Sequence, residues 1–240
     1  MAKADKETSN ASTEAKKSKT GLYTIGALVL GALAIGLFVM NAEAPQATDA
    51  PKADPELVAL LDAGPLEDIV LGDTNADTVI VEYASMTCPH CAHFYEEVFP
   101  QLKEKYIDTG KVRFIFREFP LDGLAVAASM LARCAGNDRF YPMVDGLFET
   151  QETWAVPGAD GKDKLKLIAK QAGFSEESFE TCLADKELLD KFVAVRKKAR
   201  EDFGVDATPA FFVNGKRLDG IAFETFEAAI EGTPETPPSG

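Results

Sequence analysis

Thr78-Val79-Ile80-Val81-Glu82-Tyr83, followed by Cys88-Pro89-His90-Cys91, is the stretch on which the reading of this chain turns. The β-branched run Val79-Ile80-Val81 predicts a central strand covered on both faces and ending near Ser85. Beyond it Thr87 is the expected N-cap, Pro89 is tolerated in a first helical turn, and Cys91, Phe94, Tyr95, Val98, Phe99, Leu102 and Tyr106 recur at helical spacing until Gly110. Val112-Arg113-Phe114-Ile115-Phe116 then reads as a second buried strand, closed by Pro120. A strand-helix-strand order of this kind implies two parallel strands joined by a right-handed crossover, the start of an α/β sheet.

This placement decides the chemistry. A thiol of ordinary pKa, about 8.5, is mostly protonated at neutral pH, but the free N–H groups and the dipole at a helix N-terminus favour the thiolate. Cys88 holds that position and is expected to be the exposed nucleophile. Cys91, one turn in, is expected to be the buried resolving thiol. His90 would add a donor or positive charge near Cys88. Glu82, six residues before Cys88 in an apolar strand, is expected beneath the thiols as a buried carboxylate exchanging protons with Cys91. A pair of cysteines at this spacing is also half of a zinc site. Zinc needs four ligands, however, and the chain has two histidines, His90 and His93, both beside the motif, and no second such pair. No metal or cofactor beyond a redox-active Cys88–Cys91 disulfide is expected, and His93 reads as a surface or packing residue.

Elsewhere, Glu56 to Leu61 suggests a short helix and Leu66 to Val70 a short strand before the turn at Gly72 to Asn75. An insertion of helices over about 122–203 is expected from periodic segments at Ala125–Cys134, Tyr141–Thr150, Lys164–Ala172, Glu176–Leu183 and Leu188–Asp202. Ala210 to Val213 reads as a strand, Asn214-Gly215 as a hairpin turn, Arg217-Leu218 as the returning strand and Phe223 to Ile230 as a closing helix. Residues 56–232 thus form the globular domain and 233–240, with three prolines, a disordered tail. Cys134 and Cys182 fall in two helices of the insertion. They are either bridged or a pair of free buried thiols, and an oxidising compartment favours the bridge.

Gly21 to Met40 carries no charge over twenty residues, enough at about 1.5 Å per residue to cross a hydrocarbon layer about 30 Å thick. Lys3, Lys6, Lys16, Lys17 and Lys19 precede it and acidic residues follow, so residues 1–20 are expected in the cytoplasm and everything after Met40 outside it. A cleaved leader is the alternative, since Ala42-Glu43-Ala44 resembles a cleavage site; the domain would then be soluble in the periplasm. Residues 41–55 have linker composition and would span about 20 Å as a coil or about 50 Å fully stretched. The first twenty residues hold three acidic and five basic side chains, which leaves 36 against 20, a net charge of −16, on the rest. So acidic a surface argues against nucleic acid or anionic lipid as a partner.

Glu82, Cys88-Pro89-His90-Cys91, the helical insertion and Thr208-Pro209-Ala210-Phe211-Phe212-Val213-Asn214-Gly215 together resemble the DsbA family, thioredoxin-fold thiol:disulfide oxidoreductases of the bacterial periplasm. The resemblance runs from about Leu66 to Ile230. It implies a thioredoxin-like fold with a helical insertion, here preceded by one transmembrane helix. It also implies a cis Thr208–Pro209 peptide facing the dithiol, with Thr208 pairing to an extended substrate segment, and regeneration by a quinone-linked integral membrane oxidase of DsbB type. Relatives with a second cysteine pair like Cys134 and Cys182 exist. Thr208 stands where the best-known soluble member has valine and is similar to what isomerases and many tethered members carry.

The resulting expectation is an inner-membrane, single-pass oxidase with its domain in the periplasm. It would be a monomer, because the linker is too short to hold a dimerisation domain, and would act on reduced or misfolded exported proteins. An isomerase or reductase is the enzymatic alternative, and a non-catalytic peptide-binding or chaperone module the alternative of another class.

Overall fold

The computed structural model describes residues 54–62, 64–156 and 160–232. The candidate membrane span at 21–40, the segment before it, the linker up to residue 53 and the tail at 233–240 lie outside the described residues. No described helix is long and apolar enough to cross a membrane.

The sheet has five strands, β1 (Val70–Leu71), β2 (Thr78–Ala84), β3 (Val112–Glu118), β4 (Ala210–Val213) and β5 (Lys216–Leu218), in the order β1-β3-β2-β4-β5. β2 and β3 are parallel, with Glu82 opposite Phe116, and β4 runs antiparallel to β2, with Glu82 opposite Phe211. Every residue of β2 after Thr78 is buried, as the unbroken apolar run requires of a central strand. β1 is shorter than the strand expected over Leu66 to Val70. The Ile69 carbonyl accepts from the Tyr141 hydroxyl (2.7 Å) instead of a strand neighbour, and Asp68 is taken by Arg117. Gly72 ends β1 at φ 95°, where a Cβ would meet the Val112 carbonyl oxygen at 2.7 Å.

Helix α1 (Pro55–Leu61) begins inside the expected linker, because Asp54 caps it by accepting from the Glu56 N–H (2.9 Å) and Pro55 suits the first position. It rests on the β4–β5 turn, at the end of the sheet where β2 begins. There Asn214 both donates to the Val79 carbonyl (3.0 Å) and accepts from the Val79 N–H (2.9 Å). A Cβ on Gly215 would lie 2.5 Å from the Leu57 nitrogen.

The helix after the dithiol, α2, is not the uniform helix its spacing predicts. Helical turns at Pro89–His93 and Phe99–Leu102 alternate with π-helical turns at Phe94–Val98 and Lys103–Ile107. Pro100 has no N–H to continue the ladder, and the Gln101 side-chain amide donates to the Glu97 carbonyl (2.6 Å). Phe94 of α2 packs on Phe211 of β4 (4.5 Å) and on Phe226 of the last helix, α9 (Phe223–Glu231), at 5.6 Å. Since Phe211 is the cross-strand neighbour of Glu82, Glu82 shares the face that α2 covers.

Between β3 and β4 stands the expected insertion, α3 (Gly123–Cys134), α4 (Asn137–Glu149), α5 (Gln151–Trp154), α6 (Asp160–Gln171), α7 (Glu176–Leu183) and α8 (Lys186–Phe203). Several begin before their apolar periodicity does, because polar caps start them: Asp122 accepts from Leu124 and Ala125 N–H, and Asp185 from Leu188 N–H. α5 was not expected. Cys134 and Cys182 form a disulfide between α3 and α7, with their Cα atoms 6.1 Å apart. On the sheet face opposite α2, Phe203 of α8 packs against Tyr83 and Phe212.

Candidate active site

β2 delivers the chain to the N-terminus of α2, and Cys88 is the N-cap itself, extended at φ −81° and ψ 120°. Thr87, the expected cap, instead donates from its hydroxyl to Asp122 Oδ2 (2.7 Å), linking the active-site turn to the start of α3. With Pro89 lacking an N–H, the first donors of the helix are those of His90 and Cys91, and the Cys91 N–H also donates to the Cys88 carbonyl (3.1 Å).

Both sulfurs of the motif are free thiols in this structure. Cys88 is less open than expected: it is 6% exposed, against 0% for Cys91. That small difference still decides which sulfur an incoming partner meets. The Cys91 thiol beside it, the Thr208 side chain and the backbone N–H groups of Cys91 and His90 together outweigh burial and lower the Cys88 pKa to about 5. Burial acts without such compensation on Cys91, whose thiol is pushed well above its ordinary value, helped by Cys88 and by the charge of Glu82. The two thiols therefore differ in the sense that nucleophile and resolving group require.

Across from Cys88 is the peptide before β4. The Thr208–Pro209 bond is cis, and the Cys88 sulfur donates to the Thr208 carbonyl at 3.3 Å. Thr208 and Pro209 are thus brought to the dithiol.

Glu82 is fully buried under α2 between its cross-strand neighbours Phe116 and Phe211. Burial pushes its carboxyl well above the usual range, the neighbouring Tyr95 hydroxyl pulls in the opposite direction, and the charge on Cys88 adds to the rise. His90 and His93 are exposed. The backbone N–H of His90 is among the groups that lower the Cys88 pKa. Among the described residues no group of three histidine, cysteine or carboxylate side chains is placed to hold a metal ion.

Sequence reasoning missed Gln151. It lies in the unexpected α5, is 6% exposed, and its Nε2 donates to the carbonyls of Met86 (2.9 Å) and Cys88 (3.0 Å). The insertion thereby holds the loop that carries the nucleophile. A lone glutamine after an apolar helix gives no signal of this; only the fold brings it to residue 88. Beside this contact a groove of about 600 Å³ runs along the N-terminus of α2, lined by Pro89, His93, Phe148, Gln151 and Ala155 among others.

The comparisons with known proteins agree with this arrangement. The thioredoxin family model matches residues 66–232. A putative protein-disulfide oxidoreductase of Rickettsia bellii is 35% identical over 165 residues, covering 68% of this chain and 63% of that protein, so the chain spans less than two thirds of the rickettsial relative. Disulfide bond formation protein D of Bacillus subtilis is 30% identical over 176 residues, covering 68% of this chain and 77% of its own length. Among solved structures, alpha-DsbA1 of Wolbachia pipientis superposes with a TM-score of 0.67 at 33% identity, covering 72% of this chain and 94% of that one. With the matched region extending over most of the chain and containing the dithiol, the chain belongs to the DsbA family of thioredoxin-fold thiol:disulfide oxidoreductases.

Proposed function

We propose that this protein introduces disulfide bonds into exported proteins by dithiol–disulfide exchange at Cys88 and Cys91, in the periplasm, without a further cofactor. The observation that carries the reading is Cys88: a thiolate-favouring helix cap, 3.3 Å from the carbonyl beside the cis-proline. A substrate thiolate attacks the Cys88 sulfur of the oxidised pair and forms a mixed disulfide, with Cys91 leaving as the displaced thiolate. The substrate's second thiolate then attacks its own bridged sulfur, and the substrate departs oxidised while Cys88 leaves as a thiolate. Because that leaving group is stable as an anion, the reduced enzyme is favoured and the enzyme is a good oxidant. Thr208 offers backbone for pairing with an extended segment, and the groove beside Gln151 offers room for its side chains.

Regeneration by a quinone-linked membrane oxidase and attachment through residues 21–40 complete the proposal; the uncharged run and the lysines before it support the anchor. The test is oxidation of a reduced, unfolded two-cysteine protein by the oxidised full-length chain, with Cys88→Ala as control. Stoichiometric oxidation lost in the variant is expected. A Cys88–Cys91 potential at or below about −270 mV, the thioredoxin value, would instead assign the site to reduction or isomerisation. Thr208 is the feature that points that way.

A further inference from the structure

The polar side chains near Glu82 are nearly all committed elsewhere. Arg117 of β3 lies with Tyr83 on the opposite face of the sheet, where it donates to Asp68 Oδ1 and Oδ2 (2.8 and 2.7 Å) and to the Tyr83 hydroxyl (2.8 Å). Glu118, also fully buried, accepts from Arg133 of α3 (2.8 Å). Tyr141 of α4 donates towards the carbonyls of Ile69 (2.7 Å) and Phe114 (3.0 Å) and accepts from the Phe116 N–H (3.2 Å). On the α2 face of the sheet, both Glu82 oxygens and the Tyr95 hydroxyl are among the buried polar atoms with no hydrogen-bond partner among the described residues. Buried polar atoms are rarely left unmatched, and three in one place point to a contact made in another protonation state.

Tyr95 is positioned for that contact. Its ring is fixed by Phe148 (4.4 Å), Phe99 (4.6 Å) and Phe94 (5.6 Å) and stands 6.3 Å from Phe116, the cross-strand neighbour of Glu82, so the hydroxyl is held on the face that carries the carboxyl while its proton can rotate. The other titratable groups acting on it are Cys91 from its own helix and Tyr141 and Asp145 from α4; Cys88 acts on Glu82 directly. Of these, Tyr141 is already engaged and the rest bring no hydroxyl donor.

We propose that the Tyr95 hydroxyl is the hydrogen-bond donor that closes onto Glu82 when its carboxylate is charged, a positioning residue that sets how readily Glu82 takes the Cys91 proton. This rests on the exchange reading above. In the step concerned, Cys91 passes its proton to the Glu82 carboxylate, which becomes a carboxylic acid. The Cys91 thiolate then attacks the Cys88 sulfur of a mixed disulfide; the Cys88–Cys91 bond forms and the partner leaves as a thiolate. Glu82 returns its proton to solvent before the next turn.

The test loads Cys88 of the full-length chain with thionitrobenzoate as a mixed disulfide and follows release of the coloured thiolate by Cys91 against pH. In Tyr95→Phe the profile is expected to move up by about one to two pH units, the worth of one hydrogen bond to a charged group. Below the midpoint this reads as release about ten to a hundred times slower. Adding Tyr95→Phe to Glu82→Gln should change nothing further. Removing an unpaired hydroxyl should leave the melting temperature equal or higher, so lost stability cannot account for the shift. A Tyr95→Phe profile superimposed on that of the natural protein overturns the inference while leaving exchange intact. Absence of release in the natural protein itself would overturn the exchange reading instead.

Discussion

The low pKa of Cys88 should make the reduced protein gain stability over the oxidised one as pH rises from 5. The group's folded value, about 5, lies well below that of an ordinary thiol, so its contribution is absent below pH 5, grows through the interval and is complete only above the unfolded value. At pH 7 the arithmetic gives at most about 2.7 kcal/mol in favour of the dithiol form, equivalent to about 59 mV for a two-electron couple. Water at the mouth of the site screens part of this, and about 1.3 to 2.7 kcal/mol, or about 30 to 60 mV, is expected. Cys91 does not blur the slope: its folded value is raised above 9.0, so it acts only at higher pH and with opposite sign. The constraint that a closed disulfide places on the unfolded chain is independent of pH. The assay is urea denaturation of both redox forms at half-unit steps from pH 5 to 8, with the Cys88 alkylation rate measured in parallel. A stability difference that stays flat over this range, or an alkylation midpoint near 9, would refute the account of the helix cap.

Replacing Cys134 and Cys182 together by alanine should cost about 2–4 kcal/mol, since the bridge closes a long loop, while leaving the alkylation midpoint of Cys88 in place; denaturation and alkylation check the two halves. Gln151→Ala strips the added donor from the Met86 and Cys88 carbonyls. It should cost about 1–3 kcal/mol and accelerate amide hydrogen exchange at residues 88–92, measured by mass spectrometry.

Much of the fold was legible because its signals are local. Val79-Ile80-Val81 favours strand through its own β-branched side chains, Asn214-Gly215 turns a hairpin, and the first cysteine after Thr87 is placed near a helix start. What was not legible depends on partners distant in sequence. Thr87 looked like a cap because hydroxyl residues usually are, but Asp122, across the fold, claims its hydroxyl. The strand expected at Leu66 to Val70 shrank because Arg117 and Tyr141 compete for its side chains and backbone. The π-helical turns of α2 follow from Pro100 meeting an aromatic core that holds Phe94 and Phe99 in place, a conflict no periodicity count displays. At the site, Cys88, Cys91 and Glu82 could be named from spacing. Gln151 and the Tyr95 hydroxyl could not, since neither residue type nor spacing marks a buried amide or an unpaired phenol.

The seat of α1 on the Asn214–Gly215 turn has a practical side. Asp54 enters the domain at the end where β2 starts, while the sulfurs follow the other end of this seven-residue strand. At about 3.3 Å per residue the two are separated by about 23 Å of sheet. A fluorophore, affinity handle or carrier protein joined ahead of Asp54 is therefore spliced to the blunt end of the domain. It leaves the reactive mouth clear, so exchange can be followed on immobilised or labelled protein without the label becoming an obstacle.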